Sequence, residues 1–180
     1  MNPTLHRLLL AAATLLAGTV VAAQPPSVGA ASTTVAPLLT RLEGTWRGSG
    51  TILGQPARVE MRCAPVLGDA FQQLTWVSRI GPEPTPRRFE GQAFYGRTAG
   101  GVGHAVWVDS TGLTRPILAT ISADGAALVA AWGTADTEVG ETTYRFESAT
   151  RLLVVDRVRL KDGSWREFGR SSLSRTLPPE

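Results

Sequence analysis

Short β-rich runs separated by turn residues restrict the fold of this chain more than any other feature. After Gly44 no long helical pattern occurs, and ten runs follow one another at even spacing. Asp-Gly pairs such as Asp124-Gly125 and Asp162-Gly163 lie between runs, which is typical of hairpins. The predicted strands are 45–53, 57–65, 70–80, 88–95, 102–109, 115–121, 126–132, 142–147, 152–160 and 165–173. We predict an all-β, antiparallel up-and-down barrel, because closure leaves no exposed edge strand.

A short helix is predicted directly before the first strand. Residues 37–43 carry leucines on one face, and Gly44 follows as a helix end. The second run alternates strictly, with Ala57, Val59, Met61 and Cys63 on one face. We expect that face, with Cys63, to point inward. Because eight strands already enclose a packed or single-ligand interior, ten strands favour a cavity; the alternative is an interior filled by the helix and large side chains.

Composition and charge exclude several classes of protein. Hydrophobic residues make up 43% of the chain, which indicates a folded rather than a disordered protein. One Cys forms no internal disulfide, and with only two His it excludes most Cys/His zinc sites, so no metal site is predicted. The net charge of +3 is spread along the chain without a basic cluster, so no nucleic-acid partner is expected.

The first residues have the layout of a secretory signal peptide. Arg7 precedes an apolar run over 8–21, and Val21-Ala22-Ala23 places small residues at a cleavage site. The run is shorter than the roughly 20 residues of a membrane span. We therefore expect cleavage near Ala23, a periplasmic or secreted mature protein, and no stable membrane anchor. Residues 24–36 are predicted to be a flexible leader, 37–176 a single barrel domain and 177–180 a tail.

Several motifs resemble one protein superfamily. The opening Gly44-Thr45-Trp46-Arg47-Gly48-Ser49-Gly50 resembles the Gly-x-Trp start of the calycins, and more closely that of the nitrobindin-type heme-binding barrels. The runs 66–71, 89–96 and 106–112, and residues 156–175, resemble a related bacterial group of lipocalin-like domains. The resemblance spans about residues 38–176 and implies a barrel that binds its ligand inside. It rests on turn and packing residues, which specify fold better than function.

The resemblance also implies roles for individual residues. In calycins a basic residue of the last strand packs across the first-strand Trp, which here implies Arg170 or Arg175 against Trp46 in a structural cation–π contact. Nitrobindin-type barrels hold heme through a His near the C-terminus. Residues 165–175 contain no His, and His104 is the only His after residue 23. Heme is therefore an alternative ligand rather than a predicted cofactor.

The expected function is the binding of a small, largely apolar ligand inside the barrel. We expect Trp76 and Tyr95 to line the interior, and His104, Asp156 or Arg47 to orient the polar end of the ligand. Asp156 shares its strand face with apolar residues, and a buried carboxylate needs a partner. An Arg such as Arg47 could supply it.

An enzyme on the same scaffold is the other alternative. No Gly-x-Ser-x-Gly elbow, Walker motif or His-Glu-x-x-His motif occurs, so no catalytic residue is assigned and a binding role is favoured. A small hydrolase- or isomerase-like enzyme would need an acid–base pair. His104 and Asp156 in one open cavity would be its sign.

Overall fold

The computed structural model describes residues 35–96, 102–112, 116–134 and 137–176. These residues form the helix α1 (Val35–Leu42) and ten β-strands. The strands are β1 (Gly44–Ile52), β2 (Gln55–Val66), β3 (Phe71–Ile80), β4 (Arg87–Gly96), β5 (Val102–Asp109), β6 (Ile117–Asp124), β7 (Ala127–Trp132), β8 (Gly140–Phe146), β9 (Arg151–Arg159) and β10 (Trp165–Thr176). The predicted signal peptide, the leader up to residue 34 and the tail lie outside the described residues.

The strands form one closed antiparallel barrel in which each strand pairs with its neighbours in sequence. Pairing of β1 with β10 closes it, from Thr45 opposite Thr176 to Ile52 opposite Gly169. The predicted fold class is therefore confirmed, and each strand lies within three residues of its predicted bounds. β10 extends to Thr176 because its last residues pair with the start of β1. The helix begins at Val35, two residues earlier than predicted, and Val35 is buried.

The pleat of the strands gives the barrel an apolar inner face. In β2 the buried residues alternate with exposed ones, and Cys63 is buried and forms no disulfide. The half of the interior next to α1 is filled by side chains. They include Leu38, Leu39, Leu42, Trp46, Met61, Leu74, Ile121, Leu128, Phe146, Leu152 and Leu173. Burial of α1 against this cluster explains why so short a helix is stable.

Trp46 and Arg175 fix the end of α1 to the barrel. The guanidinium of Arg175 lies 4.3 Å from the centre of the Trp46 ring. The Trp46 indole donates a hydrogen bond to the carbonyl of Leu42 at 2.8 Å, and Arg175 donates to the carbonyls of Glu43 and Arg41. The last carbonyls of a helix have no partner inside the helix, so these three bonds complete the helix end.

The glycines of the first strand allow β1 and β10 to approach closely. A Cβ atom at Gly48 would lie 1.9 Å from the carbonyl oxygen of Ser172, and one at Gly50 would lie 1.9 Å from that of Arg170. Any side chain there would push the strands apart. The Gly-x-Trp-x-Gly-x-Gly pattern therefore combines barrel closure with the contact at Trp46.

The two ends of the barrel differ. One end carries α1, and the opposite end, which we call the mouth, is the end at which β1, β3, β5, β7 and β9 finish. Within the described ranges no helix has the length and apolar character of a membrane span.

Candidate functional site

A cavity of about 420 Å³ occupies the half of the barrel nearer the mouth. Exposed residues at the mouth, Leu53, Thr111 and Glu138, belong to its wall, so the cavity communicates with solvent there. Small-molecule sites typically measure about 300–1,000 Å³. Most of the lining residues are apolar, and seven of them are aromatic: Trp76, Phe89, Tyr95, Trp107, Trp132, Tyr144 and Phe168. The space is thus suited to a flat or branched apolar molecule.

Two of the indoles lie directly over glycines of the neighbouring strand. A Cβ atom at Gly91 would be 2.0 Å from the ring of Trp107, and one at Gly140 would be 2.1 Å from the ring of Trp132. Phe89 stacks on Trp107 with 6.5 Å between the ring centres and 19° between the planes. Because each indole occupies the space of a missing side chain, the rings cover the wall without filling the cavity.

A bulge in β10 brings a further aromatic ring inside. The pairing of β10 with β9 shifts between Glu167 and Gly169, so alternation is interrupted at Phe168. Phe168 lines the cavity and contacts Trp132 edge-to-face, with 6.4 Å between ring centres. Strict alternation counted back from Leu173 would have placed Phe168 on the outside.

Asp156 is the carboxyl group on the cavity wall farthest from the mouth residues. Its Oδ1 accepts a hydrogen bond from Thr142 Oγ1 at 2.7 Å, and the Trp132 indole donates to the same Thr142 hydroxyl at 3.3 Å. A Cβ atom at Gly169 would lie 2.8 Å from Asp156 Oδ2, so this glycine leaves room for the carboxyl. Burial raises the pKa of Asp156 to about 6; the Thr142 bond opposes this rise, and the negative charge of Glu167 adds to it.

A pair of tyrosines completes the polar part of the interior. The hydroxyls of Tyr95 and Tyr144 are 3.1 Å apart, and their rings meet edge-to-face. Burial raises the pKa of both hydroxyls above the usual value for tyrosine. Both groups therefore stay neutral at physiological pH. They offer a hydrogen-bonding pair without charge.

The mouth carries three charged side chains of the lining, Arg87, Asp109 and Glu138. The Trp107 indole donates to Asp109 Oδ2 at 2.9 Å, and the backbone N–H of Thr111 donates to Oδ1 at 2.8 Å. Burial raises the pKa of Asp109, but these bonds and one from the Thr111 hydroxyl together outweigh it and lower that pKa. Asp109 is therefore ionised and holds Trp107 in place.

The structure brings together three of the five residues proposed from sequence as ligand contacts. Trp76, Tyr95 and Asp156 line the cavity. Arg47 and His104 do not: both are exposed on the outer face of the barrel. Arg47 follows the inward-facing Trp46 and pairs with Glu60 at 3.0 Å, so it is not the partner of Asp156. His104 alternates with buried residues at 103 and 105, which turns its side chain outward.

The sequence left Arg170 and Arg175 as candidate partners of Trp46, and the structure places Arg175 there. Arg175 lies over the Trp46 ring, whereas Arg170 pairs with Glu167 at 2.7 Å on the surface. β10 places Arg175 opposite Trp46 in the β1 pairing, while Arg170 lies opposite Thr51 and faces outward.

Sequence reasoning missed several residues of the cavity wall. They are Ser78, Trp107, Trp132, Thr142, Tyr144 and Phe168. Glycine inside a strand often marks a close approach of another group. The sequence did contain this signal for part of the wall. Three strand glycines each face a side chain of the cavity wall, namely Gly91, Gly140 and Gly169. The inward position of Phe168 had no comparable signal.

The residues of the cavity do not fit a heme held by histidine. His104 is the only histidine among the described residues, and it lies outside the cavity. The same placement separates His104 from Asp156, so the acid–base pair expected of an enzyme is not assembled. In the described ranges no group of three or more His, Cys, Asp or Glu side chains could hold a metal ion.

Comparison with known proteins identifies the fold. No protein-family model matches the chain, and no curated protein sequence matches it. The crystal structure of Rv2717c from M. tuberculosis is similar with a TM-score of 0.59 and 20% identity, over 79% of this chain and 99% of that one. The S-type phycobiliprotein lyase CPES from Guillardia theta is similar with a TM-score of 0.60 and 10% identity, over 82% of this chain and 95% of that one. The chain therefore shares the barrel fold of these two structures.

Proposed function

We propose that this protein is an exported binding protein that holds a small, largely apolar molecule inside its barrel. The observation that carries the proposal is the cavity of about 420 Å³, which is lined mainly by apolar and aromatic side chains and reached from the mouth. Its fold class is consistent with interior ligand binding. Export is proposed from the signal-peptide layout of residues 1–23.

Apolar burial would supply most of the affinity. Removing about 200 Å² of apolar ligand surface from water contributes about 5 kcal/mol, from which the entropy lost on association is subtracted. The Tyr95–Tyr144 hydroxyl pair and Asp156 would orient the polar end of the ligand, because they are polar groups in a mostly apolar wall. The binding strength then depends on how completely a ligand fills the cavity.

The proposal is tested with one variant that fills the cavity and a matched variant on the outside. Ala130 lines the cavity and is buried, whereas Ala131 is the next residue of β7 and is exposed. Ala130→Phe should therefore block the cavity, and Ala131→Phe should leave it open. Circular dichroism and thermal unfolding check that both variants fold.

Binding is measured in two ways. Native and denaturing mass spectrometry of protein from the periplasm of a heme-supplied host reports any co-purified molecule. Titration with N-phenyl-1-naphthylamine, an uncharged apolar fluorophore, reports the capacity of ligand-free protein. We expect saturable binding by the wild type and Ala131→Phe, and at least a tenfold loss in Ala130→Phe. Absence of saturable binding by the wild type, or equal binding by both variants, would contradict the proposal.

A further inference from the structure

The charges of the cavity wall are mostly negative. Three carboxyl groups, those of Asp109, Glu138 and Asp156, line the cavity, and Arg87 is the only basic residue among the lining residues of the described ranges. Arg87 is exposed at the start of β4. An anionic ligand would therefore bring its charge beside carboxylates, whereas a cationic ligand would reduce the negative charge of the wall.

Asp156 lacks a basic partner. Within the described ranges, no Arg, Lys or His nitrogen forms an ion pair with it, and its hydrogen bond from Thr142 is to Oδ1. Buried carboxylates are normally paired with a cation or with several hydrogen-bond donors. Arg47, the partner suggested by the sequence, is on the outer face with Glu60. The Asp156 carboxylate thus has fewer hydrogen-bond donors than a buried carboxylate normally has, and it faces a cavity large enough for a ligand.

A second polar atom of the wall is also without a partner. The Ser78 hydroxyl is buried, lines the same cavity and has no hydrogen-bond partner among the described residues. Buried hydroxyl groups normally form at least one hydrogen bond. The wall therefore contains two groups, Asp156 and Ser78, whose hydrogen bonding a polar ligand group would improve.

We propose that the ligand is an apolar molecule carrying a protonated amine, which pairs with the Asp156 carboxylate. This inference rests on the proposed function and specifies the chemical class of the ligand. An ammonium group forms a charge-assisted hydrogen bond, which is about twice as strong as the bond from a neutral hydroxyl. The aromatic rings around the site add favourable contacts to a cation.

The test compares three probes that share one ring system and differ in charge. They are 1-naphthylmethylamine, which is protonated at pH 7.5, neutral 1-naphthylmethanol, and anionic 1-naphthoate. Each competes with N-phenyl-1-naphthylamine in the fluorescence titration. We expect the amine to bind wild-type protein about tenfold more tightly than the alcohol at pH 7.5, and the carboxylate to bind most weakly.

Asp156→Asn is the decisive variant, because it removes the charge and keeps the shape and an acceptor oxygen for Thr142. The amine should then bind no more tightly than the alcohol, while the alcohol changes less than twofold. Glu60→Gln is the matched control. It removes one carboxylate from the outer face, next to Arg47, and should leave all three affinities unchanged.

The pH dependence of binding gives a second test that needs no variant. The titratable groups near Asp156 come from three other strands. Tyr144 lies on β8, as does Thr142, which pairs with Asp156. Glu167 lies on β10, two residues before Gly169, and Tyr95 extends from β4 to the Tyr144 hydroxyl. Burial keeps the tyrosines neutral, and the hydrogen bond from Arg170 lowers the pKa of Glu167. Protonation of Asp156 near pH 6 should therefore weaken amine binding about tenfold between pH 7.5 and 5, and leave alcohol binding unchanged.

The possible failures of the two proposals are distinguishable. If the alcohol or the carboxylate binds as tightly as the amine, or if Asp156→Asn keeps the preference for the amine, the amine inference is wrong and the binding barrel stands. If neither the three probes nor N-phenyl-1-naphthylamine binds saturably, both proposals are wrong. Should Asp156→Asn not fold, a pH-independent preference for the amine in the wild type would overturn the inference.

Discussion

Asp156 links the chemistry of the cavity to the stability of the fold. Burial raises the pKa of its carboxyl from the usual 3.8 to about 6 in the folded barrel. The folded state therefore takes up a proton more readily than the unfolded state. The resulting stabilisation is fully present below pH 3.8 and is lost as pH rises through 6.

At the residue scale we expect Asp156→Asn to stabilise the protein at pH 7.5. The gain is at most about 3 kcal/mol, since a shift of one pKa unit corresponds to about 1.4 kcal/mol and solvent in the cavity reduces the effect. The difference from wild type should shrink as pH falls to 4.5. Urea unfolding followed by tryptophan fluorescence at both pH values measures it, with Glu60→Gln as control. A difference that is the same at both pH values would contradict the assigned shift.

At the scale of secondary-structure elements, α1, β1 and β10 meet at one junction, where the first and last strands pair. Arg175 of β10 lies over Trp46 of β1 and donates hydrogen bonds to carbonyls at the end of α1. One side chain thus joins the last strand to α1 and β1, which lie more than 100 residues earlier in the sequence. The helix contributes Leu38, Leu39 and Leu42 to the core beside this junction.

We expect Arg175→Ala to lower the free energy of unfolding by about 2–3 kcal/mol, through loss of the cation–π contact and of two charged hydrogen bonds to carbonyls at the end of α1. Arg170→Ala is the matched change on the same strand. It should cost less than about 1 kcal/mol, because the Arg170 side chain forms an exposed ion pair with Glu167. Chemical denaturation measures both values. Equal losses in the two variants would contradict the role assigned to Arg175.

At the scale of the whole molecule, export should be visible in the mass of the mature chain. Cleavage after Ala23 gives a protein that begins at Gln24. Replacement of the small residue before the cut, Ala23→Arg, should leave the full-length chain in the membrane fraction, because signal peptidase needs a small residue there. Ala31→Arg, in the leader, should be processed normally. Intact-mass analysis of periplasmic and membrane fractions reads both outcomes, and a full-length soluble wild type would contradict export.

Sequence and structure agree wherever local chemistry decides the outcome. Alternation of apolar and polar residues, together with turn residues, determined the number of strands, their bounds to within three residues and the inward face of residues such as Cys63 and Asp156. These features have a period of two residues, so a short stretch of sequence is sufficient to define them. The same pattern is enough to predict closure, because an open sheet of ten strands would expose its edges.

The tertiary structure decided which inward residues surround open space. Trp46 and Trp76 both face inward, but Trp46 lies in the filled half beneath α1 and Trp76 lines the cavity. That difference depends on the position of each side chain along the barrel axis and on which strands lie across the interior from it. A local sequence pattern contains neither. The bulge that turns Phe168 inward likewise depends on the pairing of β10 with β9. The sequence by itself determined the barrel, and the closure of its strands determined the composition of the site.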